Sequence, residues 1–202
     1  MRSKTSICNL ALSHIGVSVP IANVDEERSK EASTCRVFYD EVRAQTFRDF
    51  WWPFATAFGP LALVAEEPTS EWRYAYRYPA GCMTFRRILS GVGRVDSSTT
   101  RVRWRLGRDS AGQLIYTDQP NAVGEWTALV EDPEQYPPDF AAALSLLLAA
   151  SIAPRLTAGD QFKIGARAFD LYRLQVARAQ ENSANEESRD DPPESEFITV
   201  RA

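Results

Sequence analysis

The run Phe140 to Ala153, FAAALSLLLAASIA, would be apolar on every side of a helix, with Ser145 and Ser151 its only hydroxyls. Pro137-Pro138-Asp139 ahead of it is a strong helix-start signal, because a proline's missing amide costs nothing in a first turn. A helix with no polar side is either a membrane span or the centre of a packed fold. At 14 residues the run falls short of the roughly 20 that cross a bilayer core. Pro154 and Arg155 are expected to close it, so the reading is a bundle centre. Gly159 and Asp160 should then end this helix and cap the next, whose inward positions read as Phe162, Ala166, Phe169, Tyr172 and Val176.

A second constraint lies at Arg36 to Phe58. Cys35, Phe38, Tyr39, Val42 and Thr46 recur at helical spacing, with Asp40, Glu41, Arg43 and Arg48 largely off that face. Pro53 cannot continue a helix, so the helix is expected to end just after Trp51 and Trp52. Phe50, Trp51, Trp52, Phe54 and Phe58 then stand where a helical layer meets a sheet. Five aromatics there would bind the two layers, or simply fill a core corner.

Around these two stretches the rest of the chain falls into place. Ser3 or Thr5 caps a first helix with apolar Ile7, Leu10, Ala11 and Ile15, and Gly16 ends it. Beyond Pro60 the period becomes two. Trp72, Tyr74, Tyr76 and Tyr78 share one strand face, and Arg73 and Arg77 the other, where truncating Arg77 should cost little. Met83 to Leu89, Arg101 to Leu106, Gln113 to Thr117 and Glu125 to Val130 read as further strands, with Asp109-Ser110-Ala111-Gly112 as a hairpin turn. The expected fold class is α+β: a four-helix bundle from residues 1–53 and 132–182, an inserted antiparallel β region at 54–131, and an extended C-terminal arm at 183–202.

Two hundred and two residues bury a substantial core, roughly 70% of the unfolded surface. Cys8, Cys35 and Cys82 are odd in number and lack CxxC spacing, so buried, reduced thiols are expected. The N-terminus has no signal-peptide apolar run, because Asn9, Ser13 and His14 interrupt it, and a cytosolic site of synthesis is expected. Chemistry is sparse. His14 is the one histidine, and there is no P-loop, GxGxxG or histidine cluster for a metal. No cofactor is expected. A carboxylate pair for glycoside hydrolysis would need a separation of some 5–10 Å, and no spacing singles one out.

Charge is distributed in blocks. Trp72 to Arg108 holds nine arginines against Asp96 alone, a net of +8. Asp118 to Asp139 holds six acids and no base. Arg101, Arg103 and Arg105 alternate with Val102, Trp104 and Leu106, so a row of guanidiniums would line one strand face. Such a row is either a solvated outer face or a docking face for an acidic neighbour; no DNA-reading module surrounds it. Glu181 to Glu196 carries seven acids and one arginine, with Pro192-Pro193, and cannot pack alone. It leads to Phe197, Ile198 and Val200, a short β-like tip read either as a meaningless tail end or as an anchor that adds to a neighbour's sheet edge.

Five segments in order carry a resemblance. They are Leu12 to Gly16 (LxxIG), the acidic turn Glu26-Glu27-Arg28-Ser29 with Ala32, the Tyr39-Asp40-x-x-Arg43 helix, Trp52-x-Phe54-Ala55, and the Trp72 to Pro79 strand. Together they resemble the head-to-tail adaptors of short-tailed bacteriophages, the tail tubular protein A family. The likeness fades in the middle, returns near Asp139 and Leu156-Thr157, and does not reach the last 25 residues or so. It implies a structural virion protein assembled in the host cytoplasm, with twelve copies forming a ring beneath the portal protein. That ring would join the tail nozzle protein and leave a passage for double-stranded DNA, with no membrane partner. Arg101, Arg103 and Arg105 are then candidate subunit contacts, and Phe197, Ile198 and Val200 candidate anchors on the portal or a neighbour. Peptidoglycan hydrolysis, proposed for some tail adaptors, is the alternative in the enzyme class.

Overall fold

The computed structural model describes residues 2–64, 68, 71–91 and 101–186. Helix α1 (Lys4–His14) starts at a capping box in which the Ser3 hydroxyl accepts from the Ser6 amide and Ser6 returns the bond. It ends as Gly16 turns into the left-handed region at φ 81°, letting the Val17 amide reach the Leu12 carbonyl. Helix α2 (Lys30–Asp49) follows, and stops earlier than Pro53 alone requires. Phe50 is already extended, and the Trp52 indole donates to the Thr46 carbonyl in the last turn at 2.7 Å.

Six strands lie between the helices: β1 (Thr56–Pro60), β2 (Tyr74–Arg77), β3 (Cys82–Ile88), β4 (Trp104–Asp109), β5 (Gly112–Thr117) and β6 (Val123–Ala128). They form two antiparallel sheets of three, ordered β1-β6-β3 and β2-β5-β4. A second, smaller core joins the sheets through Leu61, Tyr76, Phe85, Ile88, Ile115 and Ala122. The Tyr76 hydroxyl, fully inside, donates to the Gln119 carbonyl and accepts from the Ala122 amide.

Helix α3 (Pro138–Leu156) is 19 residues long and runs through Pro154, which was expected to end it. Proline there sits in the last turn and removes a single hydrogen bond, so the helix continues to Leu156. By length and composition α3 is the one described helix apolar enough to cross a membrane, but it lies mostly inside the fold. The surroundings of α3 overturn the expected four-helix bundle. Such a bundle shares a centre lined by four helices, whereas here α1, α2 and α4 (Ile164–Glu186) each pack on α3, which is itself the centre. The fold is α+β, with three helices around a fourth and two small sheets beside them. The 183–202 arm falls outside the described residues beyond Glu186.

The aromatic corner is real but smaller than expected. Phe50, Trp52 and Phe54 make ring contacts with one another or with Phe140 of α3, while Trp51 and Phe58 are 38% and 60% exposed. Arg86 of β3 clamps the sheet to this corner. Its guanidinium donates to the Phe50 carbonyl and the Thr127 hydroxyl and lies over the Trp51 ring at 4.7 Å.

Candidate subunit-contact surfaces

The three arginines of the row are all exposed, and none forms an ion pair among the described residues. Arg101 and Arg103 precede β4 and Arg105 lies within it. Between them Val102 and Trp104 turn inward onto the second core, Trp104 edge-on to Phe85 at 5.0 Å. Inward alternation is what holds the guanidiniums outward. It lapses at Leu106, which is 46% exposed. The Arg103 carbonyl accepts from the Thr117 hydroxyl, and its guanidinium lies 5.4 Å from the Trp72 ring. Among the described residues β4 has a strand partner, β5, on one side only.

The six acids of 118–139 do not act as one patch. Asp118 accepts from the Arg73 amide, Glu125 is buried against the Arg87 guanidinium, and Asp139 accepts from Gln175 and Asn182. Glu131, Asp132 and Glu134 remain exposed on the loop that enters α3. Arg77, expected on a bare outer face, instead forms a two-point ion pair with Asp109, both contacts at 2.7 Å. Asp109 also accepts from the Ala111 and Gly112 amides, so one carboxylate shapes the hairpin turn and holds a neighbouring strand. The Arg77 hydrogen bond and the turn amides hold its pKa down at about 2. Phe197, Ile198 and Val200 lie outside the described residues.

His14 meets Ser145 of α3, Nε2 to Oγ 3.3 Å, a pair the sequence spacing of 131 residues hid. Ser145 is fully buried and donates to the Ala142 carbonyl, so its oxygen is not presented to a substrate. Burial lowers the His14 pKa. His14, but not Ser145, lines a cleft of about 640 Å³ between the end of α1 and α4, with Leu146 of α3 also in its lining. No group of His, Cys, Asp and Glu suited to a metal ion occurs among the described residues. Cys8 and Cys35 are free and buried, in contact across α1 and α2, and Cys82 is free and half-buried.

The motif segments each sit at a join. Arg43 stacks beside the Tyr39 ring at 5.8 Å, pairs with Asp40 and reaches the Glu131 carbonyl, so the Tyr-Asp-x-x-Arg helix is tied to the loop entering α3. Sequence reasoning missed the outward stripe of α4, where Leu171 and Leu174 are 43% and 57% exposed, because aromatic residues drew the inward face instead. The chain matches no family model and no curated protein.

Proposed function

We propose that this protein is a head-to-tail adaptor of a short-tailed phage particle. Copies form a ring beneath the portal, twelve in number if it follows the portal's symmetry, and join the portal to the tail nozzle. Double-stranded DNA passes along the ring's axis. The role is structural, with no catalysis and no cofactor. The observation that carries the reading is the ordered run of motif segments from Leu12 to Pro79. Each segment supports the fold at a junction: the Gly16 turn, the Ser29 cap of α2 on the Ala32 amide, the Arg43 tie, the Trp52 corner and the Tyr76 core of the sheets. Exposed arginines on one surface and the exposed acids Glu131, Asp132 and Glu134 on another support contact between unlike faces of neighbouring copies, the arrangement that closes rings.

Electron microscopy of the protein mixed with the portal protein of the same particle tests the proposal. Rings seated on the portal are the expected result. A protein that leaves portals bare, and clears peptidoglycan in a zymogram, would replace the adaptor with a hydrolase.

A further inference from the structure

Phe58 of β1, Glu125 of β6 and Arg87 of β3 lie in register across one sheet, so their side chains form a row on a single face. The Arg87 Nε donates to Glu125, which is buried, and the Arg87 side chain is still 48% exposed. Thr56, two residues before Phe58, shares that face, and the Trp51 indole donates to its hydroxyl at 3.1 Å. With Pro53 these residues line a groove of about 600 Å³. Its aromatic walls, Trp51 and Phe58, are the two members of the aromatic corner that the core leaves exposed.

The chain itself supplies a fitting occupant. Glu186, the last described residue, lines a second cleft with Phe50, Pro53 and Phe54, and Pro53 is a wall of both. Pro192 follows six residues later, a reach of about 20 Å when the chain is extended. Asp190-Asp191-Pro192-Pro193-Glu194 sets a Pro-Pro step between carboxylates. Prolines favour the polyproline II conformation before they bind, so little entropy is lost when their rings pack into an aromatic-lined groove. The flanking carboxylates suit the exposed part of the Arg87 guanidinium.

We propose that residues 190–194 dock in this groove of their own chain, with Pro192 and Pro193 against Trp51 and Phe58 and a flanking carboxylate at Arg87. The short tether makes the encounter intramolecular, at an effective concentration on the order of millimolar, which favours the chain's own segment over a neighbour's. Docking fixes where the apolar tip at Phe197, Ile198 and Val200 is presented. The contact does not depend on the adaptor reading, and portal rings neither support nor oppose it.

Paramagnetic NMR on the full chain tests it. A nitroxide is attached at Glu194→Cys in a chain that also carries Cys82→Ser, because Cys8 and Cys35 are buried and Cys82 is not. The signal read is the Trp51 indole N–H, identified by its absence in Trp51→Phe. The nitroxide should broaden that signal away, and Pro192→Gly with Pro193→Gly should bring it back, since those changes leave the tether length and the described fold untouched. A Trp51 signal at full height beside the nitroxide overturns the contact. Broadening that survives both glycines is the work of the tether alone and overturns it too. In a mixture of isotope-labelled chains without the nitroxide and unlabelled chains with it, the signal should stay. Broadening there gives the groove to a second copy's segment and overturns the same-chain assignment.

Discussion

Arg77 and Asp109 are 32 residues apart in sequence, and period-two alternation assigned Arg77 to a solvated face. Alternation reads only which side of a strand a residue is on; it does not reveal that the neighbouring hairpin offers a carboxylate there. The pair makes stability depend on acid. Asp109 has a folded pKa of about 2 against an ordinary 3.8, so its contribution is present above the ordinary value and is lost as pH falls toward 2. Asp109→Asn should therefore lower the urea midpoint at neutral pH, and the gap from wild type should close near pH 2. A gap that persists in acid would assign the loss to the turn amides alone. Arg86 differs from Arg105 in the same way. Arg86→Ala, which removes hydrogen bonds to Phe50 and Thr127, should cost about 1–3 kcal/mol. Arg105→Ala, exposed and without an ion pair among the described residues, should stay within about 0.5 kcal/mol.

At the scale of elements, α3 was the most legible feature, since a run apolar on all sides has few soluble solutions. Its hub geometry was not legible, because hydrophobicity shows that a helix is surrounded without showing how its neighbours are arranged. Leu147 is 3% exposed, and Leu147→Ala should cost about 2–5 kcal/mol in denaturant titrations. Helix α4 was legible as a helix but misread in part. Of the positions expected inward, Tyr172 and Val176 are buried, while Phe162 is 84% exposed, Phe169 42% exposed and Ala166 also exposed; Gly165, Ala168 and Ala179 complete the buried face instead. Small residues let α4 come close, a signal that is weak beside aromatics in any hydrophobic pattern. A Cβ on Gly165 would stand 3.1 Å from both the Ala150 carbonyl oxygen and the Ala153 methyl. Gly165→Val should therefore cost about 1–3 kcal/mol through overpacking, measured as a lowered melting temperature. Phe162→Ser, on the exposed side, should leave that temperature unchanged.

For the whole molecule, the candidate surfaces were half legible. Alternation placed the arginine row outward, but the acid count overstated its counterpart, since Glu125 is committed inside the β region and Asp118 and Asp139 hold local partners. That leaves Glu131, Asp132 and Glu134 as the acidic surface able to meet a neighbour's arginines. Opposed rows in water contribute modestly pair by pair, yet a like-charge confrontation is strongly disfavoured and sets which faces can meet. Changing Arg101, Arg103 and Arg105 to Glu should therefore leave the melting temperature near wild type, because none is ion-paired among the described residues, and should block ring formation on the portal. Changing Glu131, Asp132 and Glu134 to Lys in the same chain should restore the rings, and each single-sided variant should show steeper loss as salt is lowered. Rings of normal number from the triple Glu variant would make the row a solvated face. Loss without rescue would keep the arginines in assembly but assign their partner to the portal.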